Sequence, residues 1–252
     1  MMTQGRDTSG GPDAQEVARI ARGLGRELDE AQTRGLAVYL ELLARWNKRM
    51  NLVGARDWRS ALRDLVADSW HVADVLAGLD VGDSPLSLDL GAGAGLPGLP
   101  LRLFWETGEY CLVEIRAKRV VFLRYALEAM ELTGTFIFEG KAEDALNKYG
   151  PADIVLSRAF MPWQGFLGFV EGAVRGYALV MANEPPPETG QVPEGWSLVK
   201  GHAYPAGQGE RYCWVFTPAK ASRNESLSNN FVATSSAFSP SSMSRSKKSS
   251  SS

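Results

Sequence analysis

Acid and glycine alternate with small apolar residues in the segment Leu86-Ser87-Leu88-Asp89-Leu90-Gly91-Ala92-Gly93-Ala94-Gly95-Leu96-Pro97-Gly98, and these residue types restrict the chemistry that can sit there. A short apolar run ends on Asp89. The glycines that follow carry no Cβ, so a flat guest can come close to the backbone N–H groups. Pro97 suits a first helical turn, where its missing N–H costs nothing. The segment predicts a buried strand, a turn that cradles a nucleotide-like ligand, and a helix opening at Pro97.

Two cofactor classes fit that cradle. Gly93, Gly95 and Gly98 satisfy the G-x-G-x-x-G pattern of dinucleotide-binding folds, with an acid, Glu114, about 20 residues on. Read from Asp89, the spacing is D-x-G-x-G-x-G, which resembles the first motif of S-adenosylmethionine-dependent methyltransferases. Ligands of open α/β sheets bind outside the carboxyl ends of the strands, so the groups just past each strand matter most. These are 89–96 after the first strand, Glu114 at the end of the second, Lys141-Ala142-Glu143 after the third and Ser157-Arg158-Ala159-Phe160 after the fourth. Glu114 is placed to accept from a ribose diol, and residues 141–143 to meet an adenine edge. A plainer alternative for Glu114 is a surface carboxylate paired with Lys118, four residues on.

The elements that must hold these groups alternate. Strands are expected over 86–90, 110–114, 135–138, 153–157, 177–182, about 196–204 and 211–217; helices are expected over 97–105, 118–131, near 143 and over 163–175. Alternation of β and α predicts a parallel sheet covered on both faces, and the closing pair without an intervening helix predicts an antiparallel hairpin. Upstream, helical periodicity runs over 13–24 and 29–50, with Asp29 as N-cap, then from 57 through Val66 and from about 69 through Leu79. The expected organisation is a disordered N-terminus (1–12), an N-terminal helical cap (13–80), an α/β domain (81–218) and a disordered Ser-rich tail (219–252) whose composition is too poor to bury a core.

Composition narrows the class. Cys111 and Cys213 lie in apolar runs, as reduced buried thiols do, and His71 and His202 have no partners at metal-ligand spacing, so no metal is expected. No run is long and apolar enough for a membrane span, and the first 12 residues do not resemble a signal peptide; a cytoplasmic protein is expected, read as a monomer. The formal net charge of −2 means that any nucleic-acid surface must be local. Neither an Asn/Asp-Pro-Pro-aromatic element nor a nucleophilic cysteine follows the fourth strand, which argues against adenine-amino and cytosine-C5 methylation. Asn183-Glu184-Pro185-Pro186-Pro187 reads as a loop.

Several segments, in order, resemble the glucose-inhibited division protein B (RsmG) family of 16S ribosomal RNA guanine-N7 methyltransferases. They are Arg45-Trp46-Asn47-Lys48-Arg49-Met50-Asn51-Leu52, Asp68-Ser69, the glycine segment, Lys118-Arg119-Val120-Val121-Phe122-Leu123-Arg124, Ser157-Arg158-Ala159-Phe160 and Gly209-Glu210-Arg211. The resemblance implies a class I methyltransferase fold: Rossmann-like, with a mostly parallel seven-stranded sheet, an antiparallel last strand and an N-terminal helical extension. It implies S-adenosylmethionine as donor and 16S rRNA, or the small ribosomal subunit, as partner. Gly91, Leu96, Ala142, Glu143 and Arg158 fall on the family's cofactor positions and Glu114 on its ribose-binding acid. Asp89, Gly93 and Gly95 complete the expected cofactor set. The chain departs from the pattern at Leu65-Val66, where His-Phe is expected, and at Met181-Ala182-Asn183, where Leu-Lys-Gly is expected.

Guanine N7 has a free lone pair and no proton, so methyl transfer to it needs alignment and exclusion of water rather than a general base. Arg158 is expected to shape the catalytic floor. Arg56, Arg119 and Arg124 are expected to hold RNA, with Arg45, Lys48, Arg49, Arg59 and Arg63 nearby in sequence and Trp46 and Trp58 interleaved. Trp46 lies on the apolar stripe and is expected in the core. Two other readings stay open at this stage: a methyltransferase for a different acceptor, and a cofactor-binding RNA or ribosome-assembly factor.

Overall fold

The computed structural model describes residues 10–207 and 209–219. Seven strands form one sheet: β1 (Leu86–Leu90), β2 (Glu109–Glu114), β3 (Thr135–Glu139), β4 (Ala152–Arg158), β5 (Val174–Ala182), β6 (Trp196–Ala206) and β7 (Gly209–Pro218). Their order is β3-β2-β1-β4-β5-β7-β6, parallel from β3 through β5, with β7 antiparallel to both its neighbours. The expected sheet and closing hairpin are both present.

Strand alternation sorts the side chains into two cores. Tyr110, Leu112, Ile154, Leu156, Leu179 and Val215 face one side, where the cap helices pack: α1 (Ala14–Gly23), α2 (Glu30–Met50), α3 (Trp58–Ala61) and α4 (Ala67–Ala77). The short α5 (Gly98–Leu101) and α6 (Ala117–Ala129) share that face. Leu88, Leu90, Val113, Val155, Trp214 and Phe216 face the other, against α7 (Ala142–Tyr149) and α8 (Trp163–Phe169). The cap is therefore one layer of the sheet's own sandwich. Asp29 caps α2 through a reciprocal pair with Gln32, and Asn51 closes it in the left-handed conformation at φ 47°.

Several expectations are corrected. The two cap helices expected over 57–66 and from about 69 are one continuous path, joined by a π-helical turn at Leu62–Val66. The helix expected over 97–105 is only α5 followed by turns, and the one over 163–175 stops at Phe169 because β5 already begins at Val174. Gly10, within the segment expected to be disordered, is exposed, and its carbonyl accepts from the Trp58 indole N–H at 3.2 Å. Residues 1–9 and the tail from 220 lie outside the described residues.

Below the glycine turn, Gly98 sits where side chains converge. A Cβ there would lie 2.5 Å from Leu112 Cδ2, 2.7 Å from Asp89 Oδ2 and 2.9 Å from the Tyr110 ring. Overpacking of this kind is expected to make Gly98→Ala less stable by about 1–3 kcal/mol. Urea denaturation checks it: the midpoint falls while the slope holds.

Candidate functional site

Gly91, Gly93 and Gly95 all have φ between 61° and 74°, a region closed to most other residues, so the turn after β1 depends on them. They do different work. Gly91 lines a cleft of about 320 Å³ with Val113, Glu114, Ala142, Glu143 and Phe160, and a Cβ on it would meet the Phe160 ring at 2.7 Å. Gly93 donates its N–H to Glu114 Oε2 at 2.9 Å. Gly95 is buried against Leu99 and Leu123, which makes it a packing residue.

Glu114, 4% exposed, also accepts from the Arg116 N–H at 2.9 Å through Oε1. The surface pair with Lys118 is not what holds it. Each carboxylate oxygen has taken one backbone donor and keeps a second lone pair, which suits it to vicinal hydroxyls. Ile115, 58% exposed, adds an apolar wall to the same cleft. Ala142 and Glu143 open α7 at its rim. The Leu96 side chain is in the core, so only its backbone is available to a guest.

Asp89, expected in the cofactor set, does not line the first cleft. It is 1% exposed, lies beneath the turn on the cap-facing side of β1, and accepts from the Tyr110 hydroxyl at 3.2 Å and from the Gly98 N–H. Burial pushes its pKa up to about 7 against those two hydrogen bonds. From above, α2 fixes the turn as well: the Tyr39 hydroxyl donates to the Ala94 carbonyl at 2.8 Å.

A second cavity, of about 390 Å³, opens beyond β4 and β5 and is lined by Asp68, Arg158, Ala159, Met181, Ala182, Asn183, Tyr204 and Arg211. Its centre is an ionic cluster that the sequence reading did not assemble. Asp68 Oδ2 is ion-paired with Arg158 at 2.8 Å and accepts from Arg211 at 2.6 Å, and Asp68 is 1% exposed. The backbone of the π turn completes the cluster: the Leu65 carbonyl accepts from Arg158 at 3.2 Å and the Asp64 carbonyl accepts from Arg211. The contact at Leu65 is to its backbone, so the departure there leaves this link intact; Met181, Ala182 and Asn183 do line the cavity. Tyr204 stacks on His71 at 4.4 Å. Burial and then His202 push His71 down to about 4, so it is neutral at pH 7.

Residues 158–160 join the two spaces. Arg158 and Ala159 line the second cavity and Phe160 the first, with Ala159 at φ 53°. The expected RNA residues are scattered. Arg119 lies against the glycine turn, 3.7 Å from Glu114 Oε2 and near Gly93, but does not line the first cleft. Arg124 pairs with Glu139 at 2.9 Å. Arg56 is exposed at a separate cavity of about 530 Å³ with Arg45 and Lys48. Arg59, 27% exposed, is held by Glu16 at 2.8 Å and lies over the ring of Trp58, which is buried. Trp46 packs on Phe122 and Tyr125, joining the core as expected. Among the described residues no group of three or more His, Cys, Asp or Glu could hold a metal, and no helix is long and apolar enough to cross a membrane.

With this geometry in place, comparison with known proteins is informative. Residues 32–186 match the GidB family model, described as rRNA small subunit methyltransferase G. The chain is 44% identical over 205 residues to the ribosomal RNA small subunit methyltransferase G of Nitratidesulfovibrio vulgaris, covering 81% of this chain and 93% of that protein. It is 39% identical over 216 residues to the protein of the same name from Oleidesulfovibrio alaskensis, covering 82% and 94%. Among solved structures, a mutant of MtNAS in complex with S-adenosylmethionine superposes with a TM-score of 0.51 at 12% identity, covering 81% of this chain and 77% of that one. That likeness concerns the fold.

The buried Asp89 carries a pH signature. Its folded-state pKa is raised above the unfolded value, so it stabilises the fold below about pH 4, and that contribution is lost as pH rises towards about 7. Across this window it contributes a slope of about −1.4 kcal/mol per pH unit. Stability measured against pH for Asp89→Asn is expected to lack that descending component; an unchanged slope would place the charge elsewhere.

Proposed function

The chain belongs to the rRNA small subunit methyltransferase G family, and from that premise we propose that it transfers a methyl group from S-adenosylmethionine to N7 of a guanine in 16S rRNA. The observation that carries this reading is the pair of spaces joined through Arg158, Ala159 and Phe160. The first cleft fits an adenosine: Glu114 offers two free lone pairs to the ribose, Ile115 and Phe160 offer apolar walls to a flat ring, and Gly91 leaves the space that a Cβ would fill. The second cavity is left for the acceptor base.

When bound, S-adenosylmethionine supplies a sulfonium methyl group: the guanine N7 lone pair forms the new carbon–nitrogen bond as the carbon–sulfur pair returns to sulfur. The protein has no proton to move. Its residues bind, align and exclude water, which suits a cavity where the carboxylate is locked in ion pairs and the histidine nearby is neutral. Arg158, anchored by Asp68 and the Leu65 carbonyl, shapes the second cavity beside the segment that leads to Phe160 in the first. Arg119 steadies the donor side through Glu114 and the Gly93 turn, whereas Arg56, exposed with Arg45 and Lys48, serves RNA phosphate. Cytoplasmic residence and action as a monomer complete the reading.

The test is transfer of a tritiated methyl group to small ribosomal subunits that lack the modification, with the labelled nucleotide mapped. Label at one guanine N7 supports the reading, and label elsewhere or on no nucleotide rejects it. In the same assay Arg56→Ala is expected to raise KM for subunits while donor affinity, measured by titration, stays within about threefold. Arg119→Ala is expected to weaken the donor itself. Equal loss of both affinities in both variants would remove this division of roles.

A further inference from the structure

The ionic cluster at the second cavity has donors left over. Arg211 commits Nη1 to Asp68 Oδ2 and the Asp64 carbonyl, while Nε and Nη2 have no hydrogen-bond partner among the described residues. Its side chain is 25% exposed and lines the cavity, whereas Asp68 is 1% exposed, with Oδ2 held by the two guanidiniums and Oδ1 buried. The charged groups available at this wall are therefore hydrogen-bond donors.

A purine that presents N7 to a methyl donor also presents its 6-substituent on the same edge. In guanine that group is O6, an acceptor; in adenine it is an amino group, a donor. N7 must keep its lone pair free for the methyl group, so recognition on this edge falls to position 6. A wall of donors satisfies O6 and leaves an adenine amino group facing N–H groups, with polar atoms unpaired on both sides. Resting on the guanine-N7 reading, we propose that Arg211 is the specificity-determining residue for the acceptor base, its free N–H groups donating to O6, and that Asp68 is the positioning residue that holds it. Two anchors on Nη1, one from a side chain and one from the π turn, restrict where the guanidinium plane can lie. Lysine has no such planar fork, so Arg and Lys are not equivalent at this position.

The test uses the full chain with S-adenosylhomocysteine bound and compares binding of guanosine monophosphate with that of 2-aminopurine riboside monophosphate, which lacks O6. The wild type is expected to bind the guanine nucleotide at least about tenfold more tightly. Arg211→Ala is expected to erase that preference, Arg211→Lys to keep part of it, and all variants to retain S-adenosylhomocysteine affinity within about threefold, which also reports that they fold. Asp68→Asn is expected to weaken the preference through Arg211. A preference that survives Arg211→Ala overturns the proposal, as does equal binding of the two nucleotides by the wild type. If Arg211→Ala weakens both nucleotides in step, Arg211 is a phosphate or packing contact and the proposal fails. Tritium transfer by the wild type, run alongside, separates that failure from failure of the functional reading itself.

Discussion

A carboxylate removed from water must be matched by its neighbours, and in this fold Asp68 is matched by two arginines from opposite parts of the chain. Arg158 ends β4 and Arg211 lies near the start of β7, so one oxygen atom ties the cap layer to two strands of the sheet. Removing one member of such a buried cluster costs about 3–5 kcal/mol, because a charge is left without its counterpart. The π turn makes the arrangement possible. Its wider hydrogen-bond spacing interrupts the regular ladder at Leu62–Val66, and the carbonyls of Asp64 and Leu65 accept from the same guanidiniums. Helix irregularity, ion pairing and cavity shape are thus one structural fact.

The glycine turn is held by hydrogen bonds rather than by ion pairs. Asp89, Tyr110 and Gly98 support it from β1, β2 and α5, and Tyr39 supports it from α2, so its backbone is restrained before any guest arrives. Preorganisation of this kind lowers the ordering cost of binding. At the other end of the sheet, the buried Arg102 donates to the backbone carbonyls of Trp105, Glu106, Thr107, Gly108 and Thr133. A buried cation there organises loops, while the buried Asp68 organises a site.

What could be read from the sequence follows the range of the interactions. The strands, their alternation with helices and the glycine turn are written in local pattern, and Glu114 at the end of β2 follows from them. The π turn is not, since one added residue per turn shifts the helical phase and reads as a break between two helices. The weak span around α5 shows the opposite error: Leu99, Leu101 and Trp105 are apolar because they are buried in the core, not because a long helix repeats there. Arg59 and Arg124 looked free because their partners, Glu16 and Glu139, are distant in sequence. The Asp68–Arg211 pair spans 143 residues, and single-chain periodicity carries no trace of such a contact. Its only signal was that Asp68-Ser69 and Gly209-Glu210-Arg211 both belong to the family resemblance.

Methyl transfer to N7 moves positive charge from sulfur to the purine and leaves the proton inventory unchanged. A site for it therefore has to be accurate in shape and dry, and has little use for a titrating side chain. In the cavity we propose for the acceptor, three elements form the wall instead of the strand ends alone. β4 and β5 contribute Arg158, Ala159 and residues 181–183, the closing hairpin contributes Tyr204 and Arg211, and the cap contributes the carboxylate that fixes both arginines. Without α4 the two guanidiniums would face each other with no anion between them, and their mutual repulsion would open the wall. The N-terminal helices thus take part in both spaces, through Asp68 at the second cavity and through Tyr39 at the glycine turn.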